Sequence, residues 1–123
     1  MKYMLMICRD EPTWAKLSLG EQQKIYRETL ELSQELTSRG QCLGGHPLYP
    51  SSSATSVRVR DGKRLVTDGP FAETREQLGG YMIIDVKDLD EALAIAARIP
   101  LARTSTIEVR PVREGEPSEG SQR

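Results

Sequence analysis

The chain has 123 residues, and its 17 Lys plus Arg against 18 Asp plus Glu leave a formal charge of −1. That is the length of one domain, and the near-neutral balance excludes the strong basic excess of a dedicated nucleic-acid binder. Apolar residues make up 37% and aromatics 5%, lean for a lone core; small cores recover burial by dimerising.

In chain order, Tyr3, Leu5 and Ile7 alternate with Met4, Met6 and Cys8. Both sets are apolar, which predicts a first strand covered on two faces. The stretch Met1–Ile7 is far short of the ~20 residues of a membrane helix and has no small-residue cleavage site, so it reads as neither membrane span nor signal peptide. A loop through Glu11-Pro12-Thr13-Trp14 follows. Ser18 with Glu21 makes a capping-box pattern, and the helix behind it carries Ile25, Thr29, Leu32 and Leu36 on one face. Gly40 suits the helix stop, because glycine accepts the left-handed conformation at little cost.

Cys42–Leu48 is a short strand or extended segment, followed by a Pro/Ser loop at 50–53. Val57-Arg58-Val59-Arg60 alternates as a strand, Asp61-Gly62 is a hairpin turn, and Leu65-Val66 is the returning arm. Thr67–Leu78 is a polar loop or short helical turn, and Tyr81-Met82-Ile83-Ile84 a buried strand. Asp88 with Glu91 predicts a second capping box, opening a helix with Leu89, Leu93, Ala96 and Ala97 inward and ending before Pro100. Ile107 and Val109 alternate with Glu108 and Arg110 in a last strand. Residues 1–113 then form a single domain, and the wholly polar 114–123 a disordered tail.

The order is an α+β fold, a ferredoxin-like βαββαβ plait with an inserted hairpin. One sheet face has no helical cover although its strands offer apolar residues there. Face-to-face packing in a homodimer, the dimeric α/β barrel, is the economical solution. Cys8 and Cys42 lack metal-type spacing and form no CxxC; they read as free strand-borne thiols of a reducing cytoplasm, with a disulfide or a catalytic thiol as the alternatives. His46 is the only imidazole and no ligand spacing recurs, so the pattern calls for no metal or cofactor.

The string Asp68-Gly69-Pro70-Phe71-Ala72-Glu73-Thr74-Arg75-Glu76-Gln77-Leu78-Gly79-Gly80-Tyr81 is the most specific in the chain. With Met1-Lys2-Tyr3-Met4, Thr55–Gly62 and Glu108–Val112 it resembles the DGPF branch of the YCII-related proteins over nearly the whole folded part. The resemblance implies a cytoplasmic bacterial dimer of the α/β-barrel type. Genes of this branch often neighbour those of extracytoplasmic-function sigma factors, which implies association with such a factor. In the wider group a helix-borne His and an Asp near the position of Asp68 are proposed to pair in a cleft. The first helix here contains no His, and the matching position falls near Glu28.

The residues themselves leave alternatives open. Asp68-Gly69-Pro70 is a turn, so Asp68 either organises a loop or presents a carboxylate as general base. Phe71, the only Phe, anchors the loop in the core or lines a pocket. Glu73, Arg75 and Glu76 are a solvated face or, on a helical turn, place two carboxylates together. His46, after Gly44-Gly45, is an ordinary loop histidine or a proton carrier. Tyr81 packs in the core or aims its hydroxyl at a cleft, Arg9 meets an anionic ligand or pairs with an acid such as Asp10, and Trp14 caps the cavity. The leading expectation is a small dimer binding a small organic molecule beside the Asp68–Glu76 loop. There Asp68 or His46 would move a proton, Arg9 or Arg75 steady negative charge, and Phe71, Glu73 and Tyr81 contact the ligand. The alternative is a regulatory partner of a sigma factor with no activity. Neither reading calls for nucleic acid or membrane.

Overall fold

The computed structural model describes residues 1–115. The tail expected over 114–123 therefore lies almost wholly outside the described residues. The elements are β1 (Lys2–Asp10), α1 (Glu11–Lys16), α2 (Leu19–Ser38), β2 (Cys42–Pro47), β3 (Thr55–Arg60), β4 (Lys63–Asp68), β5 (Glu76–Asp85), α3 (Leu89–Ala96) and β6 (Thr106–Pro111), with 3-10 turns at Ser51–Ser53 and Pro100–Arg103.

The main sheet has the order β2-β5-β1-β6, antiparallel at every pairing. With α2 and α3 as the two crossovers, this is the strand order of the expected plait. Strict alternation along β1 buries Tyr3, Leu5, Ile7 and Arg9 on one face. The three apolar residues of that set join Leu32 and Leu36 of α2, Met82 and Ile84 of β5, and Ala92, Ile95 and Ala96 of α3 in one core. The other face carries half-buried Met4, Met6 and Cys8, with Tyr81 and Ile83 beside them by register and no helix over them.

The capping box at Ser18 and Glu21 is complete, and Gly40 takes φ 72° just beyond α2. Asp88 caps α3 as expected, but only half of the second box forms: Glu91 accepts from Gln41 Nε2 at 3.1 Å. The inward face of α3 is rotated from the sequence expectation. Ala92, Ile95 and Ala96 are buried while Leu89 and Leu93 are exposed. Ala92, Ile95, Ala96 and, just beyond the helix, Ile99 make one stripe that packs into the core and leaves the two leucines outside it.

Glu11–Lys16 is a helix where a loop was expected. Asp10 caps it by accepting from the Thr13 amide at 3.0 Å, and Pro12 sits in the first turn, where a proline lacks nothing the helix needs. Asp61 and Gly62 both take positive φ, 52° and 72°, in the turn joining β3 to β4. This hairpin pairs only with itself. The segment between β4 and β5 holds no helical turn, so Glu73 and Glu76 do not share a helix face; Glu76 already belongs to β5.

Candidate functional site

The apolar stripe of α2 divides along its length. Leu32 and Leu36, in its second half, are buried on the sheet. Ile25 and Thr29, two turns and one turn earlier, are only partly covered and border a hollow of about 770 Å³ between α2 and the β2–β5 edge. Ile7, Arg9, Tyr26, Leu30, Gly45, Pro47, Gly79, Gly80 and Met82 also line it.

Glycines shape the sheet wall. The β1–β5 ladder breaks register between Ile7 and Cys8, opposite Gly80 and Leu78, so Gly79 is the bulged residue. A β-carbon at Gly79 would lie 2.8 Å from Cδ of Arg9 and 2.9 Å from its Nε. Gly79 thus gives the arginine its seat. Its carbonyl accepts from the Leu48 amide at 2.9 Å, pinning the end of β2 to the same point.

Arg9 is the one buried charged residue among those described, at 2% exposure. Its Nη1 donates to the Tyr26 hydroxyl at 3.1 Å, and its Cζ lies 4.6 Å from the centre of the Trp14 ring. Trp14 meets Tyr26 edge to face at 5.3 Å. Arg9 Nε has no hydrogen-bond partner. Accepting from Arg9 leaves the Tyr26 O–H to donate elsewhere.

The other expected site residues fall in different places. Asp68 ends β4, exposed and paired with Thr55 across the hairpin. Phe71 is 83% exposed, not anchored in the core, because the hairpin and the loop behind it stand off the main sheet. Glu73 is exposed. None of these three borders either hollow. Glu28 lies 3.9 Å from Lys24 along α2 and, like Asp68, borders neither hollow. His46 and Tyr81 pair across β2 and β5 with their rings 6.2 Å apart. They border the hollow, but the register with Met6 turns both side chains toward the helix-free face, away from Arg9.

Arg75 does not reach the hollow beside α2. Its Nε lies 2.5 Å from the Asp10 carboxylate, and its carbonyl accepts from the Glu11 amide at 3.2 Å. A second hollow of about 570 Å³ lies here, bordered by Asp10, Thr74, Arg75, Glu76 and Thr104–Thr106. Its polar groups bond one another: Asp10 N to Ser105 Oγ at 3.2 Å, Thr106 Oγ1 to Glu76 at 3.3 Å, Thr74 Oγ1 to the Glu76 carbonyl at 2.6 Å. A network already satisfied has little to offer a ligand. The Asp68–Glu76 loop therefore connects to Arg9 only through intermediate contacts. It holds Asp10, Asp10 caps α1, and α1 sets Trp14 over Arg9.

Trp14, Tyr26 and Gly79 complete the Arg9 site. Trp14 was visible as a candidate cap; Tyr26 was not, because it sits outside the apolar stripe of its helix. Cys8 and Cys42 are free thiols on β1 and β2, and burial pushes the Cys8 thiol upward.

The YCII-related domain matches residues 1–116. The uncharacterized protein R00369 of Rhizobium meliloti (strain 1021) is 35% identical over 121 residues, covering 97% of this chain and 98% of that one. Among solved structures, 5-chloro-2-hydroxyhydroquinone dehydrochlorinase (TftG) from Burkholderia phenoliruptrix AC1100, in complex with 2,5-dihydroxybenzoquinone, is similar with a TM-score of 0.53. It is 14% identical, and the match covers 94% of this chain and 96% of that one.

Proposed function

This chain belongs to the YCII-related family, and from that premise we propose that it binds a small organic molecule in the hollow between α2 and the β2–β5 edge. The observation that carries the reading is a largely apolar hollow of about 770 Å³ with a buried arginine in its wall. Small-molecule sites are typically concave and apolar with a few placed polar groups. The dehydrochlorinase of similar fold was solved with 2,5-dihydroxybenzoquinone, a single oxygen-bearing ring, and a hollow of this volume accommodates such a molecule. Proton transfer here would fall to the Tyr26 hydroxyl, which borders the hollow, and not to Asp68, which does not.

The working unit of this reading is a cytoplasmic homodimer. Its support is the helix-free face with Met4, Met6, Tyr81 and Ile83, and the exposed Val57, Val59 and Val66 of the hairpin. A two-stranded hairpin is marginally stable alone, and a second copy pressed against sheet and hairpin would close the α/β barrel. The same hairpin supports the second reading, a protein partner such as an extracytoplasmic-function sigma factor, because Arg58, Arg60, Lys63 and Arg64 flank its exposed valines.

The test is a thermal-shift and fluorescence screen of small cyclic acids, phenols and quinones, 2,5-dihydroxybenzoquinone included. The variant Thr29→Trp narrows the hollow from α2, and because it adds a second tryptophan its binding is read by thermal shift. Binding to the wild type that disappears in a folded Thr29→Trp supports the reading; binding unchanged by the variant refutes it. Sedimentation velocity tests the dimer: the wild type is expected to sediment as a dimer and Ile83→Glu as a monomer. A monomeric wild type that captures a co-expressed sigma factor would favour the second reading.

A further inference from the structure

Resting on the hollow as a ligand site, we infer that Arg9 is its anion receptor and that the ligand is a small monoanion on an apolar body: a carboxylate, or an ionised phenol or enol. Arg9 is 2% exposed, and no carboxylate lies within ion-pair distance of it among the described residues. Burying a guanidinium without a counter-charge is costly. Arginine does not relieve that cost by shedding its proton. The Trp14 face and the single bond to Tyr26 offset part of it. An apolar side chain of similar length would pack here at lower cost. The missing partner is an anion, and the hollow is where it enters.

The guanidinium has hydrogen-bonding capacity that the protein leaves unused. Nη1 is engaged by Tyr26, while Nε is buried without an acceptor. A β-carbon on Gly79 would lie 2.9 Å from Nε, so only a glycine lets the arginine side chain lie this close against β5 at the edge of the hollow. A forked acceptor is what a guanidinium edge takes best. Around it Ile7, Ile25, Leu30 and Met82 supply apolar wall. One cation matches one negative charge, and the wall matches a ring or short chain, not a phosphate or sugar.

Benzoate and its neutral isostere benzamide test the assignment directly. Trp14 is the only Trp in the chain and stacks on Arg9, so its emission reports the receptor itself. The wild type is expected to bind benzoate about tenfold or more tighter than benzamide, the preference due to a charge-assisted hydrogen bond, with a saturable change in Trp14 emission. Arg9→Met is expected to erase the preference while its thermal midpoint stays level or rises. Arg9→Lys keeps the charge without the fork and should retain part of the preference; it carries the test if Arg9→Met does not fold. Equal binding of the two probes by the wild type, or a preference that survives Arg9→Met, overturns the receptor assignment and leaves the hollow as a ligand site. Failure of both probes to bind the wild type, or binding that Thr29→Trp does not touch, overturns the hollow reading and the receptor with it.

Discussion

The guanidinium of Arg75 lies 2.5 Å from the carboxylate of Asp10, and this contact, with the Glu11 amide donating to the Arg75 carbonyl, ties the Asp68–Glu76 loop to the helix that carries Trp14. Asp10 simultaneously accepts from the Thr13 amide as the N-cap of α1. Removing the cap with Asp10→Ala is expected to cost about 1 kcal/mol of stability. It should also move Trp14 emission to the red as the ring loses its place over Arg9. Arg75→Ala should have the same spectral direction with a smaller loss, since the pair is largely exposed on the arginine side. Unchanged emission in both variants would break the proposed chain from loop to site.

Acid should reveal the same contacts. The Thr13 amide, with Arg75, holds the Asp10 carboxyl below its ordinary 3.8, and the Arg98 guanidinium holds Glu35 below its ordinary 4.5. Groups with depressed folded-state values contribute stability that is complete above the unfolded-state values and is lost as pH falls through the folded ones. Melting curves are therefore expected to be level as regards these groups between about pH 7 and 5, and to decline below about pH 4. Arg98→Ala, which removes the partner bonded to Glu35 at 2.8 Å through both oxygens, should make the decline shallower. A decline of undiminished slope in that variant would contradict the assignment.

Three glycine substitutions separate close approach from backbone geometry. Gly44 and Gly45 have φ of 159° and 155°, but only at Gly45 would a β-carbon collide, 2.3 Å from the Tyr81 carbonyl oxygen. Gly45→Ala is expected to be the more destabilising by about 1–3 kcal/mol, the usual cost of overpacking. Gly79→Ala presses on the Arg9 side chain, which is more compliant than backbone. Its expected signature is a small loss of stability with a large loss of the benzoate response. Equal melting points for the Gly44 and Gly45 variants would refute the contact at β2.

Leu36 and Leu30 contrast the two uses of α2. Leu36 is 0% exposed in the core, whereas Leu30 is 56% exposed at the lip of the hollow. Leu36→Ala should cost about 2–5 kcal/mol by denaturant unfolding. Leu30→Ala should change stability little, about 0.5 kcal/mol or less, and weaken ligand binding. A reversed order would mean that the helix face has been assigned wrongly.

Local chemistry alone determined most of the fold. Alternation placed β1, the Ser18–Glu21 box opened α2, Gly40 closed it, Asp61-Gly62 turned the hairpin, and the order of elements led to the plait. Each of these signals acts between residues a few positions apart, so the chain announces it without help. What the tertiary structure decided is which side chains meet. Whether Arg9 has an acid beside it, whether Phe71 finds a core and which face of α3 turns inward depend on residues far off in sequence. The candidate site is of this second kind. Arg9 was legible as one of several possible anion contacts, and Trp14 as a possible cap. Its isolation from every described carboxylate, the seat that Gly79 leaves for it and the bond to Tyr26 arise only where β1, β5 and α2 converge. The aspartate of the signature turn was the conspicuous residue in the sequence because turn chemistry is local; the arginine under the helix was not, because burial without a partner is a property of packing.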